Sequence, residues 1–110
     1  MSLENSKLVG KWNFESWNEP DNEKHWDVLN GITVNEYFNY WDVTQAAIKS
    51  INPKFIFGGP AENLLHPHQK SFGWKLLEHV VAGKNYWTNA TGGSIDFIAA
   101  HLKAGCYFGL

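Results

Sequence analysis

An amide, a carboxyl group and a proline stand together as Asn18-Glu19-Pro20 in this chain. The preceding residues, from Trp12 to Trp17, alternate aromatic and polar side chains with the period of two that is typical of a strand with unlike faces. Proline disfavours helix at the residue before it, so we expect the strand to end here and to leave Glu19 at its carboxyl edge. An acid at the rim of a sheet can protonate a leaving group, while a neighbouring amide can hydrogen-bond a sugar hydroxyl.

A long helix is predicted to follow this strand. Thr33-Val34-Asn35-Glu36 forms a capping box, in which the threonine hydroxyl and the glutamate carboxylate satisfy exposed backbone N–H groups. Asn52-Pro53 ends the pattern, because proline cannot continue a helix. Between these signals, apolar residues recur at three- and four-residue steps and define one apolar face, namely Val34, Tyr37, Phe38, Trp41, Ile48 and Ile51.

The second half of the chain predicts two more strands and a shorter helix. Phe55-Ile56-Phe57 is a wholly apolar run closed by Gly58-Gly59-Pro60, which indicates a strand buried on both faces of a parallel, helix-covered sheet. Apolar residues at helical spacing from about Ser71 to Ala82 predict a helix that ends at Gly83. Residues 95–100 predict a third strand, which terminates at His101.

The order strand, helix, strand, helix, strand indicates an α/β fold. In such folds the active site gathers at the carboxyl ends of the parallel strands, where we place Glu19, Gly58 and His101. A complete (β/α)₈ TIM barrel needs ~250 residues. The 110 residues of this chain therefore correspond to a fragment of such a barrel, with about three of its eight units.

Composition excludes several function classes. The 9 Lys+Arg and 11 Asp+Glu residues leave a net charge of −2 with no block of like charge, which argues against nucleic acid or an anionic membrane as the main partner. The longest apolar runs fall far short of the ~20 residues of a membrane span. The polar start from Met1 to Lys7 lacks the apolar stretch of a signal peptide.

No metal or other cofactor is expected. Cys106 is the single cysteine, which excludes an internal disulfide and a cysteine-rich zinc cage and makes a free thiol the simplest interpretation. His66-Pro67-His68 could place two imidazoles near an ion, but no further ligand is spaced to complete a site, and a polar loop is the simpler interpretation.

Other polar and aromatic residues are given structural roles. We expect Glu15 to be buried or ion-paired, and His25 and His79 to lie on the surface or on a helix face. Tryptophans can stack on sugars, but Trp26 and Trp87 are interpreted as core or covering residues. In addition, Asn89-Ala90-Thr91 is an N-glycosylation sequon, which matters only if the chain enters the secretory route.

Residues 12–21, Trp-Asn-Phe-Glu-Ser-Trp-Asn-Glu-Pro-Asp, resemble the fourth barrel strand of glycoside hydrolase family 39, and within it the α-L-iduronidase type. The resemblance continues through Gly58-Gly59-Pro60 after the fifth strand and the helix from Ser71 to Gly83. Residues 95–103 resemble the sixth strand. Residues 11–105 thus resemble part of the family's catalytic barrel, preceded by a lead-in at 1–10 and followed by a divergent end at 106–110.

The resemblance implies a role for each matching residue. Glu19 matches the general acid/base of a retaining enzyme, and Asn18 the partner of the sugar 2-hydroxyl. His101 and Lys103 match positions that line the iduronate pocket. The implied function is removal of terminal iduronic acid from a glycosaminoglycan, dermatan or heparan sulfate, in the lysosome or secretory route. The Lys103 ammonium supports a uronic acid, because it offers a charge-assisted hydrogen bond to a carboxylate.

Two alternatives remain open. A retaining mechanism needs a second carboxylate ~5 Å from the first, and the resemblance places this nucleophile on the seventh strand, which no residue here matches. The isolated chain is therefore expected to be inactive, as a truncated, non-catalytic fragment with unpaired strand edges. The other alternative is a β-xylosidase-like member of the same family.

Overall fold

The computed structural model describes residues 7–22, 25–26, 33–63 and 71–101. The expected order of strand, helix, strand, helix and strand is confirmed in this part of the chain. Its elements are β1 (Asn13–Glu15), α1 (Val34–Ile51), β2 (Ile56–Glu62), α2 (Phe72–Ala82) and β3 (Phe97–Ala100). None of the described helices is both long enough and apolar enough to cross a membrane.

The three strands form one parallel sheet in the order β1-β2-β3. Glu15 of β1 pairs with Gly58 of β2, and Gly58 in turn pairs with Phe97 of β3. The register shifts near Pro60 and Glu62, so that Glu62 lies opposite Ala100. The parallel sheet confirms the α/β class, because each strand is joined to the next through a helix on the chain.

The strand bounds differ from those expected. β1 covers only Asn13–Glu15, and β2 extends through the two glycines to Glu62. The placement of Gly58 at a strand end is therefore wrong, since Gly58 lies inside the central strand. A Cβ atom at Gly58 would come within 2.3 Å of the Phe97 carbonyl oxygen, so glycine here permits close approach of β3 and does not mark a turn.

Both helices begin and end where the sequence predicts. The capping box of α1 is present, with the Thr33 side chain accepting from the Glu36 N–H and the Glu36 carboxylate accepting from the Thr33 N–H. Ser71 caps α2 by accepting from the Trp74 N–H at 3.2 Å. Asn52 and Gly83 are the C-terminal caps. Local capping chemistry thus decides these bounds.

The core lies between the two helices and the sheet. Tyr37 and Trp41 of α1 are almost fully buried, and they belong to a cluster completed by Trp26, Phe57, Phe72, Leu76 and Val80. Trp26 is therefore a core residue, as expected, whereas Trp87 is 64% exposed. Two apolar positions were wrongly expected to be buried, since Ile51 is 76% exposed at the end of α1 and Ile56 is 40% exposed at the start of β2.

A buried carboxylate links the two helices. Both carboxylate oxygens of Asp42, on α1, lie 3.0 Å from Nε2 of His79 on α2. The same Asp42 accepts a hydrogen bond from the Tyr86 N–H at 2.7 Å, and Phe38 stacks on the His79 ring. The sequence predicts His79 on the surface or on a helix face, and the structure places it on α2. There it joins α2 to Asp42 of α1, and Asp42 in turn binds the loop that follows α2.

Candidate active site

The chain beyond β1 runs along the carboxyl half of β2 without forming regular strand. The Ser16 N–H donates to the Gly58 carbonyl, and the Glu19 N–H donates to the Ala61 carbonyl, both at 2.9 Å. Asp21 then accepts from the Asn63 N–H at 2.8 Å. This backbone pairing carries Glu19 to the carboxyl end of the sheet, as the sequence predicts.

The backbone around Glu19 adopts conformations that residues other than glycine rarely adopt. Trp17 has φ 65° and Glu19 has φ 47°, both in the left-handed region. Non-glycine residues in this region are strained, and they persist only where the surrounding structure enforces the conformation. Such residues are common at functional sites. The flanking backbone bonds to β2 provide this compensation on either side of Trp17.

Tyr37 fixes the start of the same segment from the helix side. Its buried hydroxyl lies 3.1 Å from Ser16 Oγ and donates to the Ser16 carbonyl at 3.2 Å. Burial raises the pKa of the Tyr37 phenol well above its usual value, against a smaller opposing effect of the Ser16 hydrogen bond. The phenol therefore stays protonated and remains a donor to the Ser16 backbone.

The Glu19 carboxyl group is buried between two imidazoles. The residue is 4% exposed. His101 Nδ1 lies 2.7 Å from Oε1, and His25 Nδ1 lies 3.1 Å from Oε2. Asn22 donates to Oε2 at 3.4 Å. His101 is positioned by its own backbone, whose N–H donates to the Glu62 carbonyl at 2.7 Å where β3 ends beside β2. The predicted pair of Glu19 and His101 is therefore brought together.

This arrangement suits a carboxyl group that changes its protonation state. When Glu19 is ionised, an imidazole that carries hydrogen on Nδ1 donates to it. When Glu19 is protonated, its own hydroxyl donates to a bare Nδ1. An imidazole partner can thus serve both states, which a lysine or a backbone N–H could not do, because each of these only donates. A general acid that later acts as a base needs both states.

Asn18 is exposed beside Glu19 and contacts His25. Its Nδ2 lies 3.3 Å from His25 Nδ1, the same nitrogen that faces Glu19. Asn18 can donate to that nitrogen only while the nitrogen carries no hydrogen. Assigning His25 to the surface missed this contact, and the sequence offers no periodic pattern that would reveal it.

Another buried carboxylate, Glu62, ends β2, and it is not among the residues singled out from the sequence. It is 3% exposed and accepts hydrogen bonds from the Phe72 N–H at 3.1 Å and the Gly73 N–H at 3.3 Å. These N–H groups belong to the first turn of α2 and have no partner within the helix, and a negative charge is favoured at this end. A Cβ atom at Gly73 would approach Glu62 Oε2 to 2.8 Å, so glycine leaves room for the carboxylate. Glu62 thus has a structural role as an N-terminal cap of α2.

The remaining candidates are placed as follows. Glu15 is exposed at the end of β1, so the expectation of burial is wrong. Lys103, His66, His68 and Cys106 lie outside the described residues. Among the residues that are described, no group of three or more histidine, cysteine or acidic side chains has an arrangement that could hold a metal ion.

Comparisons with known proteins identify the family of the chain. The family model for Glycosyl hydrolases family 39 matches residues 5–108. Human α-L-iduronidase is 36% identical over 96 residues, which cover 86% of this chain and 14% of the human protein. A β-xylosidase from Geobacillus stearothermophilus is 43% identical over 53 residues, or 48% of this chain and 10% of that enzyme. The chain thus spans about one seventh of the iduronidase that it matches.

One solved structure has a similar fold over most of the chain. It is the bacterial orthologue of human α-L-iduronidase, which does not need N-glycan modifications to be catalytically competent. The TM-score is 0.71 at 26% identity, over 87% of this chain and 14% of that one. The parallel sheet and its two helices therefore match part of a larger catalytic domain.

Proposed function

This chain belongs to glycosyl hydrolase family 39, and we propose that in the full-length protein Glu19 is the general acid/base of a retaining glycosidase. The observation that carries the proposal is the buried Glu19 carboxyl group between His101 and His25 at the carboxyl end of a parallel sheet. In the first step the protonated acid gives its proton to the glycosidic oxygen as the bond to the sugar breaks and a nucleophilic carboxylate elsewhere in the full-length protein bonds to the sugar. In the second step the Glu19 carboxylate removes a proton from water as the water oxygen bonds to the sugar and the bond to the nucleophile breaks.

The proposed substrate is a terminal α-L-iduronic acid of a glycosaminoglycan such as dermatan or heparan sulfate. Asn18, exposed next to Glu19, is proposed to hold the sugar 2-hydroxyl. His101 and Lys103 are proposed to line the pocket around the sugar. A lysine ammonium distinguishes a uronate from a neutral sugar, since only the uronate carries a carboxylate that pairs with it. The similarity to iduronidases over 86% of the chain supports this choice.

We place the described strands as strands four to six of a (β/α)₈ barrel. Residues 11–105 then form part of the catalytic barrel, with 1–10 leading in and 106–110 diverging. The nucleophile would come from the seventh strand, and none of the described carboxylates takes that role. Glu62 binds the first turn of α2, and Glu15 lies on an exposed strand edge. The 110-residue chain alone is therefore expected to be inactive.

The experiment for Glu19 uses the full-length protein that contains this chain. Glu19→Gln keeps the size of the side chain but removes its acidity, so turnover of an iduronide is expected to fall by ~10² to 10⁴-fold. Asp42→Asn is the matched control, because it makes the same chemical change at a buried carboxylate between the helices; since it also weakens the Asp42–His79 pair, turnover is compared per folded molecule. Turnover by Glu19→Gln at the wild-type rate would contradict the assignment.

A family-39 β-xylosidase is the second candidate, favoured by the 43% identity to the Geobacillus enzyme. Lys103→Met separates the two. If the ammonium binds a carboxylate, kcat/KM for an aryl iduronide should fall by roughly 10 to 100-fold, the range of a lost charge-assisted hydrogen bond, while that for a xyloside should not. An equal change for both substrates would contradict the uronic-acid assignment and favour the xylosidase.

The proposed partner is therefore a carbohydrate, with no nucleic acid, no membrane and no cofactor in the reaction. Following the resemblance, we place the full-length protein in the lysosome or the secretory route. Fractionation of cells that express the tagged full-length protein tests this location.

A further inference from the structure

The loop between α2 and β3 is ordered and exposed, and it has no part in the Glu19 site. Residues 84–91, here called the sequon loop, begin and end in an antiparallel bridge between Lys84 and Thr91. The Asn85 N–H donates to the Ala90 carbonyl at 2.8 Å, and the Asn89 N–H donates to the Asn85 carbonyl at 2.9 Å. The loop therefore has one defined backbone path.

A buried side chain fixes this path from inside. Asn85 is 5% exposed, and its Oδ1 accepts from the Trp87 N–H at 3.0 Å and from the Thr88 N–H at 2.9 Å. These bonds turn the chain outward and present Asn89 at φ 62°, a left-handed conformation that asparagine tolerates better than most residues. The buried Asn85 side chain thus fixes the backbone conformation in which Asn89 is exposed.

The tripeptide at that end is an acceptor for N-linked glycans. Asn89-Ala90-Thr91 has alanine, not proline, in the middle, and all three residues are exposed. Within the part of the chain that the structure describes, the side-chain amide of Asn89 makes no hydrogen bond, so it is accessible for modification. A sequence match alone would not establish this accessibility.

An exposed aromatic ring accompanies the sequon. Trp87, two residues before Asn89, is 64% exposed, and none of the described aromatic rings packs against it. Such a ring offers an apolar face that suits the C–H face of a pyranose. A sugar attached to Asn89 would begin within a few ångströms of this part of the loop and could cover the ring.

We infer that Asn89 carries an N-linked glycan and that its first sugar packs on Trp87. The sequon loop joins the end of α2 to the start of β3, so it lies at the amino end of the sheet. His101 and Glu19 lie at the carboxyl end. The glycan therefore does not obstruct the substrate, and its loss should leave turnover within about twofold of the wild-type rate.

The test uses the full-length protein secreted from cultured eukaryotic cells, with peptide mapping before and after peptide:N-glycosidase treatment. Thr91→Ala removes the sequon hydroxyl without altering Asn89, and Thr91→Ser is the matched control that keeps it. We expect a glycan on Asn89 in the wild type and in Thr91→Ser, and none in Thr91→Ala. An unmodified Asn89 in the wild type would overturn the inference, whether the loop is covered or the chain never enters the secretory route.

The packing on Trp87 is tested by removing the glycan from folded protein. Deglycosylation should lower the Tm of the wild type by at least a degree and should lower that of Trp87→Ala by less. An equal decrease would overturn the packing. Activity measured on the same samples keeps this inference separate from the proposed function. A modified but inactive protein contradicts only the function, and an active, unmodified one contradicts only the glycan.

Discussion

Two buried carboxylates in the described part of the chain are paired with histidine, and they differ in what surrounds them. Asp42 pairs with His79 between two regular helices, and the His79 side chain is 11% exposed. Glu19 pairs with His101 and His25 on irregular segments at the end of the sheet, and both histidine side chains are 38% exposed. The first pair is closed off from solvent, whereas the second is open to water and, in the proposed function, to substrate. In that proposal, exposure of the partner, more than burial of the acid, separates the acid/base from a structural link.

Disrupting the closed pair should produce the largest change in stability. His79→Ala leaves the buried Asp42 carboxylate without its imidazole, which should lower the free energy of unfolding by about 3 kcal/mol. Chemical denaturation of the full-length protein measures this. Turnover per folded molecule should change little. A His79→Ala protein with unchanged stability but lost turnover would reverse the roles of the two pairs.

His25 allows a finer test of the open pair. His25→Gln removes the imidazole from Glu19 Oε2 but leaves His101 on Oε1. We expect kcat to fall on the order of tenfold, less than the general-acid loss at Glu19 itself, because one of the two imidazoles remains. Stability should change little, since the residue is exposed. Steady-state kinetics with an aryl iduronide would contradict a role for His25 if kcat were unchanged.

Helix and strand bounds could be predicted from the sequence where they depend on neighbouring residues, and not where they depend on residues far along the chain. The bounds of α1 and α2 were predictable because Thr33, Ser71 and Gly83 act on neighbouring residues. The extension of β2 through Gly58 was not, because it depends on close packing against Phe97, 39 positions later. Sequence patterns encode local capping well and tertiary packing poorly.

The contacts of the candidate site also fall into those that the sequence predicts and those that it does not. The closeness of Glu19 and His101 was predictable because each follows a strand of the same parallel sheet. The contact of His25 with Glu19 was not, since it depends on the path of an irregular loop that carries no periodic signal. Glu62 was missed because its partners, the N–H groups of Phe72 and Gly73, belong to a helix whose position only the fold defines.

The partly exposed ion pair between Lys49 and Asp96 should have the smallest effect on stability of the three pairs discussed. The hydrogen bond from the Lys49 ammonium, at 2.6 Å, lowers the pKa of Asp96 below its ordinary value, and the Phe57 N–H contributes to the same shift. Because the folded-state pKa is the lower one, the stabilisation is present above the unfolded-state pKa of about 3.9 and is lost as the pH falls through the folded value.

Lys49→Met should therefore lower stability by about 0.5 kcal/mol at neutral pH, as expected for a partly exposed pair. The difference from wild type should shrink as the pH falls below about 4. Thermal unfolding across this range measures it, and a difference that grows toward low pH would contradict the assignment of the shift to Lys49.

The most direct test of Glu19 as the proton donor is the leaving-group dependence of Glu19→Gln in the full-length protein. Aryl iduronides with leaving groups of increasing pKa need increasing assistance from an acid when the glycosidic bond breaks. If Glu19 supplies the proton, the loss in kcat/KM caused by Glu19→Gln grows steadily as the leaving group becomes more basic. A loss of the same size for every leaving group would contradict that role.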